Sequence, residues 1–155
     1  QQRLPVLRRE KESVRDGVLF GWFGDRVNWT DGRRLYLRAP AAPDNQPLCL
    51  YTNRWSTAPW WRLPKPDDRT SFGRFMPRAG MPVCRHPLSP EEMLRVSNIN
   101  LENYRLGNLL FDIGRDPDET TNLAGGKDER ECAARMKDLM DRQTAPPEQY
   151  ERLGL

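Results

Sequence analysis

Histidine is almost missing from this chain: His86 is the only one in 155 residues. That excludes metal sites built on a histidine pair and mechanisms that need two imidazoles. Cysteine is scarce, odd in number and scattered, at Cys49, Cys84 and Cys132. Such a set does not make a disulfide framework, and no Cys-x-x-Cys pair points to zinc. Each is expected as a small buried hydrophobe. No apolar run reaches transmembrane length and no signal peptide is recognisable. Because the first residue is Gln, a processed or truncated product is expected. No compartment is assigned, bacterial cytoplasm and periplasm both staying open. Nucleophile elbows of the Gly-x-Ser-x-Gly kind, phosphate loops, dinucleotide fingerprints and EF-hand spacing are also missing. A large excess of one charge is lacking too. Lys and Arg number 25 against 22 Asp and Glu, and the signs are well mixed. The balance does not call for nucleic acid, although an anionic ligand would not be repelled.

Proline and glycine are plentiful, at fourteen and eleven residues, so much of the chain must be loop. Hydrophobic content is 37% and charged content 30%, with a mean hydropathy of −0.85. The core should be lean, and the length suits one domain or part of one.

Arg3–Arg15 alternates cations, anions and a few aliphatics; a short helix and an extended lead-in both fit it, and its charge run reads as a solvated face. Asp16–Gly24 is β-rich and apolar on both faces, which predicts a buried central strand. Gly21 within it predicts close backbone approach or a bulge. In residues 26–30 Val27 and Trp29 point one way and Asn28 and Thr30 the other. Asp31-Gly32 is a type I′ hairpin signal. In the return, 33–38, Leu35 and Leu37 take one face and Tyr36 the other, completing a three-stranded antiparallel meander. Pro47–Thr52 is a further candidate strand.

Residues 53–104 hold seven of the fourteen prolines, and regular elements of more than a few residues are not expected there. One short helix, from Ser89 or Pro90 to Val96, is predicted, with Glu91 and Glu92 in its first turn. Leu109–Ile113 reads as a short strand. The turn Asp116-Pro117-Asp118 follows it, with carboxylates placed to accept nearby backbone N–H bonds. Asn122-Leu123-Ala124 then leads into the clearest helix, 128–143, with Asp128 as the expected cap. Cys132, Met136, Leu139 and Met140 make its apolar stripe. Residues 144–155 read as a mostly polar tail after Pro146-Pro147. The sum is an α+β fold: a small antiparallel sheet of about four strands, the C-terminal helix packed on one face, and a long Pro-rich loop region.

Three stretches resemble the C-terminal subdomain of sulfatases, within the alkaline phosphatase superfamily. One is Leu110-Phe-Asp-Ile…Asp116-Pro-Asp-Glu…Asn122-Leu123, similar to the family's Leu-Tyr-Asp-Leu…Asp-Pro-x-Glu…Asn-Leu, with Phe111 where Tyr is usual. The second is the hairpin Thr30-Asp31-Gly32-Arg33, beside which the family adds its Leu-Phe-Asp strand. The third is the tail, 145–155. The resemblance implies that residues 1–155 are such a subdomain, with 53–104 an irregular insertion. It implies an N-terminal catalytic domain as partner, and calcium and formylglycine in that parent for sulfate-ester hydrolysis.

The chain itself does not carry that chemistry. The family makes formylglycine from Cys in Cys-x-Pro-x-Arg or Cys-x-Ala-x-Arg. Cys49 is followed by Leu-Tyr-Thr-Asn, Cys84 by Arg-His-Pro-Leu, and Cys132 by Ala-Ala-Arg-Met, so none fits. Asp67-Asp68 is a loop pair without the strand scaffold of the family's calcium site. No catalytic residue, metal ligand or cofactor is therefore expected here.

Aromatic and cationic residues do gather in 53–104: Trp55, Trp60, Trp61 and Arg62, then Arg69, Phe72, Arg74, Phe75 and Arg78. Trp faces stack on sugar rings and Arg forks suit sulfate or phosphate oxygens. Trp60, Trp61, Arg62, Arg74, Arg85 and His86 are the candidate substrate-lining residues, with a sulfated small molecule or glycan as ligand and neither nucleic acid nor membrane as partner. Two other readings stay open. One is a stand-alone binding module for anionic glycans. The other is the same subdomain of a phosphodiesterase or phosphonate monoester hydrolase.

Overall fold

The computed structural model describes residues 15–53, 55, 63–75, 77, 80–97 and 107–155. Within them the fold is α+β, with two antiparallel sheets. The first has the order β1-β2-β3-β7, from Val18–Phe20, Val27–Thr30, Arg34–Arg38 and Leu109–Asp112. The second has the order β4-β6-β5, from Cys49–Thr52, Val83–Pro87 and Ser71–Gly73. Three helices accompany them: α1 (Pro90–Ser97), α2 (Lys127–Arg142) and α3 (Pro147–Leu153).

One row of side chains explains the first sheet. Leu19 pairs with Trp29, Trp29 with Tyr36, and Tyr36 with Leu110, so one position on each strand points to the same face. Trp29, Tyr36 and Leu110 are buried there beneath Cys132, Met136 and Met140, the stripe of α2. The expected packing of the C-terminal helix on the sheet is thus observed. The opposite face is mostly apolar, with Asn28 and Thr30 among its side chains. Phe111 is buried on it, Leu35, Leu37 and Leu109 are half-buried, and Val18 and Phe20 are exposed.

Several expectations need correction. The 16–24 strand is not central and buried. Only Val18–Phe20 is strand, at the sheet edge, because Gly21 turns the chain at φ 150 against the Arg26 carbonyl. Trp22 lies beyond it, 84% exposed. The β2–β3 connection is wider than a two-residue turn, since Thr30 pairs with Leu35. The Asp31 carboxylate organises it by accepting the N–H groups of Arg33 and Arg34 at 3.0 and 2.7 Å. Residues 53–104 hold, besides the predicted helix α1, two strands that were not expected, β5 and β6, and the described prolines there stand at element ends or between elements. Gly126, not Asp128, is the N-cap of α2. Glu129 closes that end by accepting the Gly125 N–H at 2.6 Å. The tail forms α3, and Arg152 and Leu153 are buried. Arg38 donates to the carbonyls of Leu153 and Gly154, both at 2.8 Å, tying α3 to β3.

The segment after β7 is built as its sequence predicts. Asp116 accepts the Thr121 N–H at 2.8 Å and the Thr120 hydroxyl at 2.9 Å. Asn122 Oδ1 accepts the Leu110 N–H at 2.9 Å, and the Leu123 N–H donates to the Leu110 carbonyl at 2.8 Å. The Asn-Leu pair therefore satisfies the outer edge of β7.

Candidate functional site

The second sheet carries polar clusters on both faces, because β6 alternates Val83, Cys84, Arg85, His86 and Pro87. Arg85 and His86 are adjacent in sequence and point to opposite faces.

On one face Arg85 joins Tyr51 and Glu148. The Arg85 guanidinium donates to the Tyr51 hydroxyl at 3.2 Å and to Glu148 Oε1 at 3.4 Å, and the Tyr51 hydroxyl donates to the same carboxylate. Burial acts to raise the pKa of Glu148, but hydrogen bonds from Tyr51 and the backbone hold it below the ordinary value. Burial, with Glu148 beside it, pushes the neighbouring Cys49 thiol up to about 12. Such a thiol stays protonated and is a poor nucleophile. This network joins β4 and β6 to the start of α3.

On the other face His86 is fully buried. Three segments meet around it: the one after β4, the one before β5, and α1. Trp55 packs against its ring in a T-shaped pair, with centroids 5.7 Å apart and planes at 85°. The Thr70 hydroxyl lies 2.8 Å from Nδ1 and also accepts the Asp67 N–H at 3.1 Å. Glu92 comes from the first turn of α1. It is held there by a reciprocal capping box: Ser89 Oγ accepts the Glu92 N–H at 3.2 Å, and Glu92 Oε2 accepts the Ser89 N–H at 2.9 Å.

Arg69 bridges the two acids. Its Nε donates to Asp67 Oδ2 at 2.9 Å, and Nη1 and Nη2 donate to Glu92 Oε2 and Oε1 at 3.1 and 2.9 Å. These bonds hold the carboxyls of Asp67 and Glu92 below their ordinary pKa values. His86 Nδ1 lies 3.9 Å from Asp67 Oδ1, and Nε2 lies 3.6 Å from Glu92 Oε2. Neither distance is a hydrogen bond. His86 Nε2 is a buried atom with no hydrogen-bond partner.

Of the candidate lining residues, the structure therefore sends His86 inward, to the Asp67–Arg69–Glu92 cluster, and Arg85 to the far face. Arg74 is exposed and donates to the Gly80 carbonyl at 2.8 Å. Trp60, Trp61, Arg62 and Arg78 lie outside the described residues. Phe72 is 70% exposed on the edge strand β5, while Phe75 meets the Tyr51 ring edge-on at 6.2 Å. A groove lined by Leu63, Pro64, Lys65, Glu92 and Arg95 opens beside α1.

Sequence reading missed the partners of His86. The Ser89-x-x-Glu92 spacing signals that Glu92 is fixed at a helix start. No linear pattern places Asp67 and Thr70 beside His86, because the β5–β6 pairing does that.

Comparison with protein-family models, curated proteins and solved structures finds no match to this chain.

Proposed function

We propose that this chain is the C-terminal subdomain of a sulfatase-like hydrolase, inactive alone, which completes the fold of an α/β catalytic domain. The observation that carries the reading is the meeting of two separate motifs in one sheet. The Leu-Phe-Asp strand, β7, pairs with β3 of the Thr-Asp-Gly-Arg hairpin. Arg33 of the hairpin donates to Asp112 of the strand at 2.9 Å. The Asn122-Leu123 pair then seals β7 before α2 begins.

A second feature supports the role of a closing unit. The sheet is largely apolar on both faces, and α2 covers only one. The reading assigns the other face, with exposed Val18 and Phe20 and the nearby Trp22 and Phe23, to the catalytic domain. In such a parent, hydrolysis rests on formylglycine and calcium in the partner domain. This chain supplies packing surface, and residues 53–104 stand as one wall of the substrate cleft.

The test is the intact mass of the native protein, with its coding sequence read upstream of Gln1. The expected result is a parent several hundred residues longer, with an early Asp-Asp pair and a Cys-x-Pro-x-Arg or Cys-x-Ala-x-Arg site. A parent with a different nucleophile would move the reading to phosphate- or phosphonate-ester chemistry. A native protein of 18.1 kDa with no partner chain would overturn it.

A further inference from the structure

The cluster around His86 has an imbalance that its hydrogen bonds do not resolve. We propose that His86, Glu92 and Asp67 form a binding site for a divalent transition ion of the zinc class, for which Arg69 is the competing intramolecular cation.

One ligand atom from each of the three residues lies within 4.8 Å of the others. Glu92 stands on the Nε2 side of the ring, whereas Asp67 Oδ1 is nearer Nδ1, at 3.9 Å, so an ion at Nε2 has to draw the Asp67 carboxylate round to it. Proximity of acids alone would carry little, since exposed carboxylates often gather without an ion. The second observation is His86 Nε2, buried and without a hydrogen-bond partner. A buried imidazole nitrogen left unpaired is costly, about 1–3 kcal/mol. Its nearest acid oxygen is Glu92 Oε2 at 3.6 Å. That is too long for a hydrogen bond. It is close to the span of about 3.3 Å between two ligand atoms that each sit 2.0–2.1 Å from one tetrahedral ion.

The surroundings of the ring agree. Nδ1 faces the Thr70 hydroxyl at 2.8 Å, and that oxygen is held by the Asp67 N–H. An Nδ1–H donated to Thr70 leaves the Nε2 lone pair directed at the Glu92 carboxylate. In that tautomer the lone pair and the carboxylate repel, and a cation between them removes the repulsion. In the other, with Thr70 donating to Nδ1, the Nε2–H faces an oxygen at 3.6 Å, too far to bond. Ligating histidines commonly show this arrangement, one nitrogen on the ion and the other N–H on a fixed oxygen. One imidazole with two carboxylates suits zinc, cobalt or nickel better than calcium or magnesium, which favour all-oxygen shells. Glu92 also lines the groove beside α1, which gives an ion and its remaining water ligands a path to solvent.

Arg69 now bonds both acids. Its side chain is 39% exposed, so the guanidinium can turn outward when an ion takes its place. The site is therefore an exchange between two cations. In a purely structural ion-pair network, removing Arg69 weakens the fold and does nothing for metal. In an exchange site, removing Arg69 strengthens metal binding.

The experiment uses the chelator-stripped chain, titrated with zinc by calorimetry and with cobalt by visible absorption. Expected are one zinc ion bound per chain and the visible bands of four-coordinate cobalt, without the near-ultraviolet thiolate band that cysteine ligation gives. Glu92→Gln should weaken zinc binding about tenfold or more, and Arg69→Gln should tighten it about tenfold, the scale of one partly screened charge pair. The gain in Arg69→Gln cannot come from misfolding, which keeps the test valid should His86→Ala fail to fold. No zinc bound at millimolar concentration, a thiolate band, or unchanged or weaker binding in Arg69→Gln would each overturn the proposal.

Discussion

The Tyr36 hydroxyl donates to Glu129 Oε1 at 3.0 Å, joining the centre of the first sheet to the first turn of the helix that covers it. The same oxygen accepts Asn108 Nδ2 at 2.6 Å, and the other carboxylate oxygen takes the Gly125 N–H. Arg38 Nη1 donates to the Tyr36 hydroxyl at 2.9 Å. One acidic side chain thus fixes β3, the approach to β7 and the start of α2. Glu129→Ala should lower stability by about 2–3 kcal/mol, because it leaves buried donors unpaired. Glu129→Gln should cost less. Urea unfolding of the two variants checks the order.

Gly21 is the residue that makes β1 short. It holds φ 150, and a Cβ there would come within 2.8 Å of the Arg26 carbonyl oxygen. Gly21→Ala should destabilise by about 1–3 kcal/mol through backbone strain. The same change at Gly32, φ 92 with no atom within 4 Å, meets no clash and should cost less. Melting temperatures of the two variants report the difference.

Acid should loosen the His86 cluster. Arg69 holds the Glu92 carboxyl below its ordinary value near 4.5. A folded-state pKa below the unfolded one contributes stability that is fully present above the unfolded value and is lost as pH falls through the folded value. In chelator-treated protein the urea midpoint should therefore fall below about pH 4.5. Glu92→Gln should start lower and fall less steeply across that window. A parallel fall in both proteins would place the acid sensitivity elsewhere.

The apolar strip at β1 should be dispensable for the isolated fold. Trp22 is 84% exposed, and Trp22→Glu should change stability by no more than about 0.5 kcal/mol. Under the proposed function the same substitution in the longer parent should weaken its assembly, seen as a lower melting temperature or greater protease sensitivity. Destabilisation of the isolated chain would show instead that Trp22 packs within it.

The first sheet was legible because its signals are local. Alternation in 26–38 separates Trp29 from Asn28 and Tyr36 from Leu35, and Asp31-Gly32 marks the reversal. The stripe of α2 repeats at helical spacing. Sequence read β1 wrongly because Phe20, Trp22 and Phe23 look like core, whereas Gly21 and the wide turn after it put them at an edge. Of the second sheet only β4 showed in the sequence, as the 47–52 strand, because β5 and β6 are short and set among prolines. Its pairings join residues 49–52 to 84–87, which no local period reveals. His86 stood out as a lone histidine and a candidate lining residue, without its partners. Its setting depends on Thr70 and Glu92, sixteen and six residues away on opposite sides in sequence.

The row Leu19–Trp29–Tyr36–Leu110 has a consequence for synthesis. Its first three members leave the ribosome long before the fourth, since roughly seventy residues separate the end of β3 from the start of β7. At about 5–20 residues per second, translation of that interval takes several seconds. The helix that roofs the row comes later still. Until then the nascent hairpin shows Trp29 and Tyr36 to solvent and offers β3 as an open edge. A factor that shields nascent chains has that whole interval in which to act, and a slow stretch of codons after β3 would lengthen the exposure.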